Sequence, residues 1–176
     1  KLAFKSMALD PDQRWLAVTD KTGGSARQIE PLGENEDIVD VDWSPNNQVV
    51  ATYSRPTGLT NSNLFFVGFN GENFPLSKLE GLNFEGSWNP NGEKLLYSVA
   101  HDKTDFRPTL WIVDGKSDSL GSGRTSTPLN TWSHKCTFPN ETTAYCGVPK
   151  NLPQGAGIIP SVADDIPDEI YQVDLE

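Results

Sequence analysis

Short runs of β-branched and aromatic residues, broken by proline turns, set the rhythm of this chain. In "DWSPNNQVVATYS", Asp42 to Ser54, Val41 and Trp43 stand before Ser44-Pro45-Asn46-Asn47, and Val49, Val50, Ala51 and Tyr53 stand after it. Proline presets φ for the second turn position, and Asn tolerates the left-handed backbone that closes a tight connection. The flanking residues have the character of strands with much of their surface buried. The stretch predicts one hairpin. The same device begins at Asp10 ("DPDQRWLAV"), Asn89 ("NPNGEKLLYSV") and Phe138 ("FPNETTAYCGV"), so the turn prolines Pro11, Pro45, Pro90 and Pro139 are spaced by 34, 45 and 49 residues. A period of tens of residues is how repeat architectures announce themselves, and this one has the size of a four-stranded blade.

After each hairpin comes a variable segment and a third strand: "ARQIEPLG" from Ala26, "NLFFVGFNG" from Asn63, "TLWIVDG" from Thr109 and "EIYQVDLE" from Glu169. The expected units are 1–34, 35–80, 81–129 and 130–176. Trp43-Ser44-Pro45-Asn46, Trp88-Asn89-Pro90-Asn91-Gly92, Leu110-Trp111-Ile112-Val113-Asp114 and Ile170-Tyr171-Gln172-Val173-Asp174 resemble the TolB-like β-propeller repeat, a relative of the WD-repeat family. The first and last units depart from that pattern, with Leu9 and Thr137 in place of the aromatic before the turn. The resemblance implies an all-β fold of β-propeller blades and a binding or scaffold role in the cell envelope or outside the cell. The chain ends at the third strand of its fourth unit, and the expectation is part of a larger propeller. The alternative is four-bladed closure, with Lys1 to Phe4 supplying the missing outer strand of the last blade.

Composition agrees: 13 prolines, 15 glycines and one Met, with no long apolar pattern of helical period, predict many short strands and tight turns. A net charge of −10 gives no electrostatic support for contact with nucleic acid or an anionic membrane surface. No apolar stretch is long enough to cross a bilayer, so the residues shown predict no membrane insertion.

Chemistry-bearing motifs are absent: there is no Gly-x-Ser-x-Gly, Walker loop, Gly-x-Gly-x-x-Gly after a strand, or His-Glu-x-x-His. His101 with Asp102 or Asp105 is the kind of pair from which a Ser/His/Asp group is assembled, but the spacing is unspecific, and the expectation is a noncatalytic protein without cofactors. Asp164, Asp165 and Asp168 would suit a calcium ion by chemistry but lack the Asp-x-Asp-x-Asp-Gly spacing, and a solvated acidic surface is the plainer reading. Cys136 and Cys146 flank the turn "FPNE" on adjacent strands; a cross-strand disulfide, suited to an extracytoplasmic setting, and two buried thiols are the two readings.

Trp43, Trp88 and Trp111 read as packing residues, whereas Trp132 in "NTWSHK" is placed near a blade entrance where it would stack on a ligand. The connections after the second strands lengthen along the chain, from "DKTGGS" at Asp20 to the twenty-residue segment at Pro149. Loops on a rigid scaffold carry most binding residues. The expected contact surface is therefore Arg55, His101, Asp102, Lys103, Asp105, Arg107, Trp132, Asp164 and Asp165, with Leu152, Pro153, Ile158 and Ile159 beside them and the two Ile residues packing onto the blade. The ligand expected there is a protein, peptide or glycan. The runner-up function is the propeller portion of a prolyl-peptidase-like hydrolase that gates or docks substrate.

Overall fold

A computed structural model describes residues Lys1–Glu176. It is all-β, with fourteen strands in four antiparallel sheets. Sheet one contains β1 (Leu2–Ser6), β2 (Trp15–Thr19) and β3 (Arg27–Pro31). Sheet two contains β4 (Val39–Asp40), β5 (Val49–Pro56), β6 (Ser62–Gly68) and β7 (Ser77–Leu79). Sheet three contains β8 (Leu82–Trp88), β9 (Lys94–Ala100), β10 (Pro108–Asp114) and β11 (Thr125–Ser126). Sheet four contains β12 (Cys136–Thr137), β13 (Thr143–Pro149) and β14 (Asp168–Asp174). Each sheet is a meander in chain order.

The proline turns join the first two strands of every sheet. Asn47 has φ 61° and Gly92 has φ 72°, the left-handed conformation the turns require. Gly92 meets a second constraint, because a Cβ there would lie 2.7 Å from the backbone nitrogen of Asn46. That closeness reflects how neighbouring turns are joined. Asn46 donates its side-chain amide to the Gly92 carbonyl at 2.7 Å, and Asn89 donates in the same way to the Glu141 carbonyl at 2.7 Å. The turns of sheets two, three and four thus form one hydrogen-bonded row.

The sheets stack in sequence order because strand side chains alternate between two faces. In β9, Leu95 joins Val49, Leu64, Phe66 and Trp88 between sheets two and three, while its neighbour Leu96 joins Ala144, Cys146 and Val173 between sheets three and four. In β5, Val49 faces sheet three and Val50 faces Leu16 and Val18 of sheet one. Central strands buried on both sides therefore read as unbroken apolar runs, "QVVA" and "KLLYSVA". Trp43 packs on the core between sheets one and two, and Trp88 lies within the core between sheets two and three. Along one edge of the stack, Lys5 donates to the Glu36 and Val39 carbonyls, and Ser133 donates to the Glu85 carbonyl.

The four sheets do not close into a ring. Sheets one and four each leave an outer face uncovered, so blades of a propeller are not what the structure shows by itself; stacked antiparallel sheets are. Lys1 to Phe4 are not an outer strand of the last unit: β1 pairs with β2 through Phe4↔Ala17 and Leu2↔Thr19. Sheets two and three each carry a short fourth strand, β7 and β11, that the sequence pattern does not predict. Their two or three residues carry too little pattern to register.

Candidate functional site

The ends of the sheets opposite the proline turns carry the connections Asp20–Ala26, Thr57–Asn61, His101–Arg107 and Lys150–Pro167. The expected progressive growth does not hold. β5 runs on through Pro56 and β6 begins at Ser62, leaving a short second connection, Thr57–Asn61, and only the fourth is long.

That long segment folds back over sheet three. Gly155 and Gly157 donate their backbone N–H groups to the Asp105 and Phe106 carbonyls, each at 2.8 Å, and Arg107 Nε donates to the Leu152 carbonyl at 2.8 Å. Asn83 reaches the Gly157 carbonyl from the other side at 3.1 Å. The approach is close: a Cβ on Gly157 would lie 2.6 Å from the Ala100 methyl. Beneath the segment, Leu152, Ala156 and Ala163 form a small core with Trp132, and Ile166 packs against it.

This cover changes the expected role of Trp132. The ring is 5% exposed and sits under the segment, so it anchors the loop and is not free to stack on a ligand. Leu152 is core as well, while Ile158 and Ile159, expected to pack, are exposed. A short 3-10 turn, Asp102–Thr104, is capped by His101, whose Nδ1 lies 3.0 Å from the Lys103 backbone nitrogen and 2.6 Å from Asp102 Oδ1. Nδ1 accepts from the amide when it carries no hydrogen and donates to the carboxylate when it does; one nitrogen cannot do both. Asp105, in left-handed backbone, pairs with Arg107 at 2.8 Å, and the exposed Lys103 lies 3.7 Å from Glu80. Arg55 stands apart, its guanidinium over the stacked rings of Tyr53 and Phe65. Asp164 and Asp165 are exposed at the end of the 3-10 turn Pro160–Ala163, and Asp168 is engaged by Lys135 at 2.7 and 2.8 Å. The three carboxylates do not form a group able to hold a metal ion.

Between the loop ends of sheets three and four lies a cleft of about 540 Å³, lined by Arg107, Leu129, Asn130, Lys150, Asn151 and Tyr171 among others. Of the lining residues, Arg107 and Leu152 belong to the expected contact surface. Lys150 pairs with Glu169 at 3.1 Å, and the Tyr171 hydroxyl donates to the same carboxylate at 3.2 Å. The Lys150 hydrogen bond, then that of Tyr171, hold the Glu169 carboxyl below its ordinary range. Both cations of the cleft thus have an acid beside them. The lining offers donors and acceptors side by side with apolar surface from Leu129, Val148 and Leu152. No local pattern marks this cleft, because its walls come from four segments that are separate along the chain.

Cys136 and Cys146 are joined in a disulfide and pair directly across β12 and β13. Of the two readings of these residues, the structure has the bridge.

No family model matches the chain, and no curated protein sequence matches it. Among solved structures, the chain is similar to the uncharacterized protein lmo1340 from Listeria monocytogenes EGD-e, at 11% identity and a TM-score of 0.62 over 98% of this chain. The chain spans 46% of the length of that protein. At this identity the likeness concerns the fold alone.

Proposed function

We propose that the chain is a noncatalytic β-propeller-type module of the TolB-like kind, which recognises a peptide segment, a protein or a glycan at the loop ends of sheets three and four. The observation that carries this reading is the cleft itself. It has the volume of a ligand site, and its walls are fixed by hydrogen bonds between the His101–Arg107 and Lys150–Pro167 segments. Its charges are matched in pairs, Arg107 with Asp105 and Lys150 with Glu169. A site so neutralised favours ligands rich in uncharged polar groups, such as peptide amides or sugar hydroxyls, with Tyr171 as the aromatic surface. Stacked three- and four-stranded meanders, with the turns of sheets two, three and four joined, support blades as the underlying architecture. The disulfide supports an extracytoplasmic setting.

The test is a binding screen of the purified chain against peptide and glycan arrays, followed by titration calorimetry on any hit. Asn151→Ala and Tyr171→Ala are expected to abolish the hit, and Asn140→Ala, on a proline turn, to leave it unchanged. Hits that survive both cleft substitutions place recognition elsewhere and end this reading.

A further inference from the structure

Aligning the third strands "NLFFVG", "TLWIVD" and "EIYQVD" puts Leu64, Leu110 and Ile170 at one position. The same alignment matches Asn63 with Thr109 and Phe65 with Trp111, and the strand pairing carries it into the second strands. In sheet two, Phe65 stands opposite Tyr53 and Asn63 opposite Arg55; in sheet three, Trp111 stands opposite Tyr97 and Thr109 opposite Val99. Both aromatic pairs are stacked, so the two sheets are built alike here. Arg55 thus occupies the place of Val99.

Their surroundings explain the difference. Tyr97 and Val99 are each 2% exposed, sealed by sheet two. The matching face of sheet two turns toward sheet one, which has no fourth strand: residues 32–38 lead from β3 straight to β4. Tyr53 packs on the core there, but Arg55 is exposed. Opposed residues on adjacent strands project from one face, so Arg55, Asn63 and Lys78 form a row across β5, β6 and β7.

The charges of this row are unmatched. Asp and Glu number 24 against 14 Lys and Arg, yet no acid pairs with Arg55, Lys78 or the neighbouring Arg124. The Arg55 guanidinium lies over the Tyr53 and Phe65 rings, 5.4 and 5.9 Å from their centroids. Arg124, just before β11, donates to the Lys78 carbonyl and keeps its other N–H donors. Asn63, Lys78 and Arg124 line, with Thr57 and Asn61, a cleft of about 570 Å³. The one acid on its wall, Glu80, lies 3.7 Å from Lys103.

We propose that Arg55, Asn63, Lys78 and Arg124 form a second binding site, for a short saccharide that carries one or two carboxylates. Guanidinium groups match carboxylates in a two-pronged fork, and Thr57, Asn61 and Asn63 offer donors and acceptors to sugar hydroxyls. Glu80 on the wall weighs against the second charge of a phosphate. A chain of net charge −10 repels a long polyanion that runs past the three cations, so the ligand is short. With its Lys78 carbonyl occupied by Arg124, the edge strand β7 is a poor template for an added peptide strand. The site lies between other sheets than the cleft beside Tyr171, so the two readings stand or fall separately.

The test is titration calorimetry of the whole chain with digalacturonate in about 50 mM salt, where surface charges are weakly screened. Saturable binding is expected, with none for the uncharged digalactose. Arg55→Gln and Lys78→Gln, both at exposed positions, should each weaken it roughly tenfold, as loss of a charged hydrogen bond does, with unchanged circular dichroism. Tyr171→Ala should leave it unaltered. Absence of saturable binding overturns the proposal, as does equal binding of digalactose or an affinity that both Gln variants retain. Tighter binding of tetraglutamate than of digalacturonate also overturns it, making the ligand an acidic peptide, and loss of binding in Tyr171→Ala moves the saccharide to the other cleft.

Discussion

Reducing the Cys136–Cys146 bridge should weaken the fold by an amount set by the loop it closes. The sequence separation is 10, and constraining a loop of about that length in the unfolded chain corresponds to about 2.7 kcal/mol at 25 °C. Little else holds this hairpin closed on the β12 side, because β12 pairs with β13 through only two residue pairs, Cys136↔Cys146 and Thr137↔Tyr145. Reduction leaves both sulfur atoms in place, with Cys146 still fully buried against Leu110 and Val173. The packing loss is therefore separable from the entropy term. Removing the sulfurs by Cys136→Ala with Cys146→Ala should add about 1 kcal/mol for the space they filled. Urea unfolding of the oxidised, reduced and doubly substituted chains measures both steps. The midpoint should fall at each, and the slope should rise once the bridge is gone, since the freed unfolded chain exposes more surface. Equal midpoints for the oxidised and reduced chains, with reduction verified by mass, would refute the loop-closure reasoning.

Three further outcomes are expected. Burial, then the neighbouring Asp40 carboxylate, push Asp42 up to about 6 from an ordinary value of 3.8; the folded state therefore disfavours its ionised form, and this penalty is present above pH 6 and gone below about pH 4. Asp42→Asn should raise the urea midpoint at pH 7.5, with the gap closing toward pH 4; a gap independent of pH contradicts the assignment. Leu110→Ala should cost about 2–5 kcal/mol as a buried truncation, whereas Ile170→Ala, at the aligned position but 72% exposed, should cost under about 0.5 kcal/mol; matched losses would show that the outward face of sheet four is covered. Arg107→Ala removes the hydrogen bond to Leu152 that ties down the long fourth connection, so limited proteolysis should cut within Lys150–Pro167 sooner than in the parent while the cores stay protected.

The hairpins were legible because their signals are local. Pro45 and Pro90, with Asn47 and Gly92 at the left-handed positions, declare turns whatever surrounds them, and the apolar runs after them can be satisfied only by strands covered on both faces. The joining of the turns was not legible. Asn46 and Asn89 read as turn formers, and each also donates to the next turn along, 46 and 52 residues away. No periodicity encodes such a reach. The same limit applies to β1. "KLAF" is too short to show which strand it will pair with, and register with β2 is decided by the sheet as a whole.

The site was less legible than the fold, and Trp132 shows why. An aromatic residue among polar neighbours has the same sequence signature whether it faces a ligand or anchors a loop. What decides between them is the segment from Lys150 to Pro167, which lies well beyond Trp132 in sequence and covers it through Leu152, Ala156 and Ala163. Charged residues are only partly legible: Asp105 and Arg107, expected as contact residues, are paired with each other, with Arg107 on the cleft wall, and nothing in the sequence pattern singles out Lys150, which lines the same cleft. A side chain becomes part of a recognition surface by the backbone it stands beside. The cleft lies where the long fourth connection, with no counterpart in the other sheets, crosses the end of sheet three. Repetition specifies the stack, and the one departure from repetition specifies the place where the stack differs from its own copies. If recognition is specific, its determinants should therefore cluster in that departure.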